Sequence, residues 1–296
     1  MALVATIISN PVARALSEDA ATMAISALGA SRVEWLAPAV AADIAVPAHI
    51  DAADAGARLR AALAGHPLDI AVQDRAGRRK KILIADMDST MIGQECIDEL
   101  ADEVGLRAQV ETITARAMDG EIAFEPALRE RVALLKGLPV EVVARVIAER
   151  ITLAPGGREL VATMRRDGAF TALVSGGFTL FTGPVAAMLG FHENQANRLV
   201  EEDGVLAGRV DEPILGRSAK AEALQAIATR LGLDTADAIA VGDGANDLDM
   251  LRLAGTGVAL HAKPSVAAQA RIRVDHGDLT ALLYLQGYRQ PEFHRP

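Results

Sequence analysis

The stretch Ile82-Leu83-Ile84-Ala85-Asp86-Met87-Asp88-Ser89-Thr90 decides how this chain is read. Its first four residues form an unbroken apolar run, which predicts a strand buried on both faces of a parallel sheet. The run stops at two carboxylates two residues apart. With strand geometry carried one step further, Asp86 and Asp88 point the same way. They then sit together at the carboxyl end of a strand, where open α/β sheets bind ligands. Two anions held that close need a cation, a shared proton or both. A polar strand end leading into a helix explains the same residues without chemistry, because Asp, Ser and Thr cap helices well.

Three later segments tip the balance. Thr171-Ala172-Leu173-Val174-Ser175-Gly176-Gly177 is a β-rich run ending in a hydroxyl and two glycines. Backbone amides in such a turn, with Ser175, can cradle a phosphate. Ordinary strand-to-helix turns use the same residues. Ala238-Ile239-Ala240-Val241-Gly242-Asp243-Gly244-Ala245-Asn246-Asp247 is a second buried strand, ending in an acidic, glycine-rich loop. Its two carboxylates and its amide suit a hard cation such as Mg²⁺ plus an oxyanion. Lys220, at the front of a predicted helix, is either solvated surface or a point charge for phosphate.

In the order Asp-x-Asp-x-Thr, Ser, Lys, Gly-Asp-x-x-x-Asp, these segments resemble the haloacid dehalogenase (HAD) superfamily of phosphatases. Further stretches resemble its phosphoserine phosphatase family. They are Glu95, Gly120-Glu121-Ile122-Ala123-Phe124 leading to Arg131, Ala196-Asn197-Arg198, and Ala254 to Leu260 with Ala262-Lys263-Pro264. The resemblance implies a Rossmann-like parallel sheet with a helical cap inserted after the first motif. It implies hydrolysis of phosphoserine with Mg²⁺ as cofactor, through an aspartyl-phosphate. Asp86 is then the nucleophile and Asp88 the general acid and base. Asp86, Asp243 and the Asp88 backbone carbonyl hold the metal, while Asp247 orients a metal-bound water or Lys220. Ser175, Gly176 and Lys220 hold phosphoryl oxygens, and Asn246 reaches the phosphate or its surroundings.

Selectivity is expected in the cap. Arg131 has the fork that takes a carboxylate bidentately. Glu95 can hold a substrate ammonium, and Met118 and Phe124 offer apolar closure. Pro126 fits only the first turn of a helix, so Phe124 marks its start. On spacing alone, Arg131 reads as a surface partner of Glu125 or Glu130, and Glu95 as a helix-end carboxylate; the resemblance gives them their roles. Two other functions remain open. One is action on another small phosphomonoester such as phosphothreonine, or phosphate transfer to an alcohol. The other is an amino-acid sensor with a vestigial core, against which the intact Asp86, Asp88, Lys220 and Asp243 argue.

The chain has 296 residues, 51% of them hydrophobic, enough for a sizeable core. With six Phe, two Tyr and one Trp, that core must be built from aliphatic residues. A formal charge of −9 argues against nucleic acid as a partner, since that needs clustered Lys and Arg. It does not argue against an anionic substrate, because local field prevails inside a cleft. Cys96 is the only cysteine, so there is no intrachain disulfide. Gly168 to Phe191 carries no charge over a membrane-spanning length, but its glycines and Pro184 predict a strand, a turn and a buried helix rather than a membrane partner. No basic region precedes the N-terminal apolar stretch, which predicts a cytoplasmic chain.

Residues 1–80 read as a separate unit in the order βαββαβ, the ferredoxin-like pattern. It resembles the ACT-like sensing modules fused to phosphoserine phosphatases. The ligand-binding glycine of such modules is replaced by Ser9-Asn10-Pro11. Sensing of L-serine, homodimerisation and a purely structural role therefore all stay open. Arg75 to Lys81 reads as a solvated basic linker. The catalytic core is expected over 81–296, with the helical cap at about 96–151. Asp203-Gly204 marks a hairpin. Residues beyond about 285 are expected to fray.

Overall fold

The computed structural model describes residues 2–118 and 121–296, apart from the side chain of Met118. The N-terminal part runs β1 (Leu3–Ser9), α1 (Glu18–Leu28), β2 (Glu34–Ala37), β3 (Ala41–Ala45), α2 (Ala52–Ala62) and β4 (Leu68–Asp74). These strands form an antiparallel sheet in the order β2-β3-β1-β4, the ferredoxin-like arrangement expected. Ser17 caps α1 by accepting the Ala20 N–H at 3.1 Å. Ala5, Ile7, Ala42 and Ile44 pack against Ala20, Ala24, Ala55 and Leu59 of the two helices.

The rest of the chain is built on a second sheet. β5 (Ile82–Ala85) leads into α3 (Cys96–Glu103), α4 (Arg107–Met118), α5 (Phe124–Ala133) and α6 (Glu141–Glu149). After α7 (Gly157–Arg166) come β6 (Phe170–Phe178), α8 (Thr179–Leu189), β7 (Glu193–Asn197), and the hairpin β8 (Leu199–Glu202) and β9 (Val205–Val210). Then follow α9 (Arg217–Leu231), β10 (Ala238–Gly242), α10 (Leu248–Leu253), β11 (Thr256–Leu260), α11 (Pro264–Ala267), β12 (Ile272–Val274) and α12 (Ala281–Leu285). The sheet order is β12-β11-β10-β5-β6-β7, all parallel. The chain builds outward from β5 through β6 and β7, then returns to β5's other side as β10. Strand order therefore reverses beside β5, which opens a crevice at the carboxyl ends of β5, β6 and β10.

Alternation along β5 and β10 explains their unbroken apolar runs. Ile82, Ile84, Ala238 and Ala240 face Leu224 and Ile227 of α9. Leu83, Ala85, Ile239 and Val241 face the opposite layer, which includes Leu160, Leu282 and Leu283. Both faces are covered, so neither can be polar. The helices α3 to α6 form the insertion that the sequence predicts. Its two ends meet at an Ile92–Leu153 bridge, where the Gly93 N–H donates to the Thr152 carbonyl at 3.0 Å. The hairpin supports it: the Gly137 N–H donates to the Leu206 carbonyl at 2.8 Å.

Three expectations need correction. Ser175-Gly176-Gly177 does not end its strand; β6 continues to Phe178, and its ladder to β7 breaks between Val174 and Phe178. The segment 75–81 is not a solvated linker throughout. Arg78 lies inside a junction, its Nη2 2.6 Å from Asp43 Oδ2, while Thr6 Oγ1 donates to Asp43 Oδ1 at 2.7 Å. Residues past 285 are not frayed. Tyr288 is 2% exposed, with the Arg79 guanidinium 3.9 Å from its ring centre. The C-terminal segment also docks the N-terminal sheet: the Asp69 carboxylate accepts the N–H groups of Asp275 and Gly277 at 2.8 and 2.7 Å. No helix among the described residues is long and apolar enough to cross a membrane.

Candidate active site

The crevice beside β5 holds a cavity of about 140 Å³. Asp86 and Asp88 reach it from the end of β5, Ser175 and Gly176 from the β6 irregularity, and Asp243 and Asn246 from the loop after β10. Glu95, Phe124 and Arg131 close it from the helical insertion. Lys220 and Asp247 are buried beneath it at 3% and 0% exposure. Nine of the sequence candidates thus line one cavity, and two more form its floor. The Met118 side chain and Gly120 lie outside the described residues.

The floor is a tight charge cluster. Lys220 Nζ is 2.7 Å from Asp86 Oδ1 and 2.6 Å from Asp247 Oδ1. The second Asp247 oxygen accepts the Gly244 N–H at 2.9 Å. Glycine at 242 is obligatory for this packing, since a Cβ there would lie 2.2 Å from the Asp247 carboxyl carbon. Asp86 Oδ1 also accepts the Met87 N–H at 2.7 Å, and Thr90 Oγ1 donates to Asp243 Oδ1 at 3.3 Å. Asp88 Oδ1 accepts the Cys96 N–H at 3.2 Å. Its other oxygen approaches Gly177, where a Cβ would come within 2.8 Å.

Crowding shifts these groups. Burial, then the charge of Asp247, drives the Asp86 carboxyl well above the usual carboxylate range, while Lys220 pulls the other way. Burial and the nearby Glu95 charge push Asp88 up to about 7. Burial and Asp247 raise Asp243 to about 6. Burial opposes the charge on Lys220, but Asp247 and Asp86 hold its ammonium protonated beyond its ordinary value. Burial likewise raises the Cys96 thiol, with Asp88 adding to it, so it is no nucleophile here.

One carboxylate oxygen each from Asp86, Asp243 and Asp247 lies within 4.8 Å of the others. An all-oxygen set with surplus negative charge suits a hard divalent cation. Asp247 already has both oxygens engaged, so Asp86 and Asp243 are the better placed ligands.

The rim carries opposite charges that are not paired with each other. Arg131 is partly buried, with its Nη1 donating to Thr114 Oγ1 at 3.2 Å and its Nε to the Ala127 carbonyl at 3.3 Å. No carboxylate among the described residues lies within ion-pair distance of it, so the pairing with Glu125 or Glu130 does not form. Burial lowers its pKa, against the pull of Asp98 and Glu95. Glu95 receives a hydrogen bond from Ser89 Oγ at 2.7 Å and has no ion pair among the described residues. The Phe124 ring packs over the core, 3.6 Å from where a Gly176 Cβ would stand.

Sequence reasoning missed Ile97, Leu128 and Lys263 as lining residues. The first two look like ordinary helix core. Lys263 follows β11, and its charge counters the rise at Asp243. It lies in the Ala262-Lys263-Pro264 stretch that carries the family resemblance, and the rule that ligands gather at strand carboxyl ends was a second signal for it.

The sequence pattern of the haloacid dehalogenase-like hydrolase family matches residues 83–252. A phosphoserine phosphatase of Methanocaldococcus jannaschii is 41% identical over 70% of this chain and 97% of its own length. Another, from Mycobacterium tuberculosis, is 42% identical over 76% of this chain, a match spanning only 55% of that longer protein. The crystal structure of a HAD family hydrolase from Salmonella enterica serovar Typhi superposes with a TM-score of 0.86 at 29% identity, covering 96% of this chain and 98% of that one. The crevice, its acidic floor and these likenesses agree: the chain belongs to the haloacid dehalogenase-like hydrolase family.

Proposed function

We propose that this enzyme hydrolyses O-phospho-L-serine to L-serine and phosphate, the last step of serine synthesis. The observation that carries this reading is the pair of unpaired, opposite rim charges, Glu95 and Arg131, above one acidic floor. A phosphorylated amino acid presents the matching set: an ammonium, a carboxylate and a phosphate. The likeness to phosphoserine phosphatases that match over most of their length supports it.

In this reading Asp86 attacks phosphorus and becomes an aspartyl-phosphate. Asp88 donates its proton to the departing serine oxygen, then takes one from the water that hydrolyses the intermediate. Its elevated pKa suits both halves of the cycle. Ser175, the Gly176 N–H, Asn246 and Lys220 oppose the charge on the phosphoryl oxygens. Asp247 keeps Lys220 charged and aimed. Phe124 keeps bulk water out, the apolar closure for which Met118 is the second candidate. Asp86, Asp243 and the Asp88 backbone carbonyl would hold Mg²⁺, which when bound neutralises phosphoryl charge.

We further propose the division into an N-terminal domain at 1–80 and a catalytic part at 81–296, with a cap at about 96–151. The N-terminal domain is read as a dimerising unit rather than a sensor. The loop that would receive an L-serine effector is engaged within the chain, as Asn10 Nδ2 donates to the His276 carbonyl at 3.1 Å and Ser9 Oγ accepts the Ala15 N–H at 2.7 Å. Dimerisation through this domain and a cytoplasmic location complete the proposal. Phosphate release from a panel of phosphate esters, with Mg²⁺ and with or without added L-serine, tests it. Preference for phosphothreonine, or for an ester lacking the amino acid head group, would overturn the substrate assignment.

A further inference from the structure

Ser89 has a left-handed backbone, φ 54°, although it is not a glycine. Such residues are uncommon, and at functional sites the conformation is held by its surroundings. The loop around it is fixed on both sides. The Ser89 N–H donates to the Gln94 carbonyl at 3.2 Å, and Gln94 is tied through its side chain to Thr152 at the base of the cap. The next residue, Thr90, donates to Asp243. The product of this geometry is one contact: Ser89 Oγ meets Glu95 Oε1 at 2.7 Å.

Glu95 needs such a partner. It is an exposed carboxylate at the start of α3, with no ion pair among the described residues. A free glutamate side chain would spread over several rotamers, and ordering it costs entropy on each binding event. A hydroxyl donated to one oxygen removes part of that freedom and leaves the other oxygen for a cation. Ser89 lies directly after Asp88, so the same turn that delivers the proton donor also aims the rim carboxylate.

We propose that Ser89 is a positioning residue for selectivity, holding Glu95 where the ammonium of a phosphorylated amino acid docks. This rests on the reading of the cavity as a phosphoserine site. Ser89 makes no contact with the reacting atoms; it acts through Glu95. Its effect is confined to substrates that carry an amino group.

The test compares kcat/KM for O-phosphoserine and for 3-phosphooxypropanoate, which lacks only the amino group. Ser89→Ala lowers the value for phosphoserine about tenfold, the lower end for a hydrogen bond to a charged group. The value for the des-amino ester stays within about twofold. Ser89→Gly, which relaxes the backbone but also lacks the hydroxyl, gives the same loss of preference. In a Glu95→Gln background, Ser89→Ala adds nothing. Equal losses on both esters, or a preference retained in Ser89→Gly, would make Ser89 a loop-shaping residue and overturn the proposal. A wild-type enzyme that hydrolyses the two esters alike would instead overturn the phosphoserine reading, before any variant is compared.

Discussion

Lys220 Nζ lies 2.7 Å from Asp86 Oδ1, with both side chains buried at the carboxyl end of the central parallel strand. A single, nearly buried ammonium thus serves two carboxylates, Asp86 and Asp247, at the floor of the cavity. Its charge opposes the forces that drive protons onto Asp86. An ionised carboxylate in line with the cavity is what a nucleophile at this position requires.

Lys220→Ala should therefore lower turnover about 10²–10³-fold, the usual cost of one preorganised charge-stabilising group. It should also raise the affinity of Asp86 for protons. Asp86→Asn should abolish turnover and leave the fold intact, because the amide keeps the shape but is a poor nucleophile. Hydroxylamine-sensitive phosphate trapped from labelled substrate should appear on the wild type and be missing in Asp86→Asn. Label on another residue would remove Asp86 from the role.

The floor should need a divalent cation. A chelator should suppress activity and Mg²⁺ should restore it. Mg²⁺ should also raise the melting temperature of the chelated protein, since it binds only the folded carboxylate set. Ca²⁺ should inhibit, because its looser geometry and higher ligand number let it engage both oxygens of Asp86. Undiminished activity in excess chelator would refute the metal's part.

Asp88 titrates at about 7, raised by burial and by Glu95. In the proposed role of proton donor it must be protonated, so the first half-reaction should slow as pH rises through its pKa. Removing the Glu95 charge lowers that pKa, and Glu95→Gln should move the alkaline fall to lower pH. The check is the burst of released alcohol against pH for both proteins at one Mg²⁺ concentration. A shift to higher pH would show that another group supplies the proton.

The parts of this architecture that were legible in the sequence are those where burial dictates residue type. Strands covered on both faces, such as Ile82 to Ala85 and Ala238 to Gly242, can only be apolar, and the carboxylates that end them stand out. Long-range polar pairing left no such trace. Arg78 reads as linker because its partner, Asp43, lies 35 residues earlier. Tyr288 sits in a polar tail, and only the fold brings Arg79 over its ring. Lys263 is one lysine in a loop until β11 carries it to the cavity.

The junction between the two sheets should be sensitive to one side chain. Asp43 is 3% exposed, and Arg78 is its only cationic partner among the described residues. Arg78→Ala strands a buried carboxylate and should cost about 3–5 kcal/mol in urea unfolding. Adding Asp43→Asn should recover part of that loss. A cost below about 1 kcal/mol for Arg78→Ala would mean that water reaches Asp43 and that the pair behaves as a surface bridge.

Substrate selectivity should depend on Arg131. Its guanidinium reaches the cavity without a carboxylate partner, with neutral acceptors on Thr114 and Ala127 holding it in place. Contacts to a substrate's remote groups position the phosphorus for attack, so they should appear in kcat/KM. Losing a hydrogen-bonded charge contact costs roughly 2–5 kcal/mol when the remaining partner stays buried, and far less at an open rim. Arg131 is partly buried and the Phe124 ring closes over the core, so the upper part of that range applies. Arg131→Ala should therefore depress hydrolysis of phosphoserine strongly and that of phosphoethanolamine, which has no carboxylate, only slightly. Kinetics on the two esters decide the matter. An equal fall for both would make Arg131 a structural residue of the cap, and the discrimination would have to come from Glu95 and the apolar lining instead.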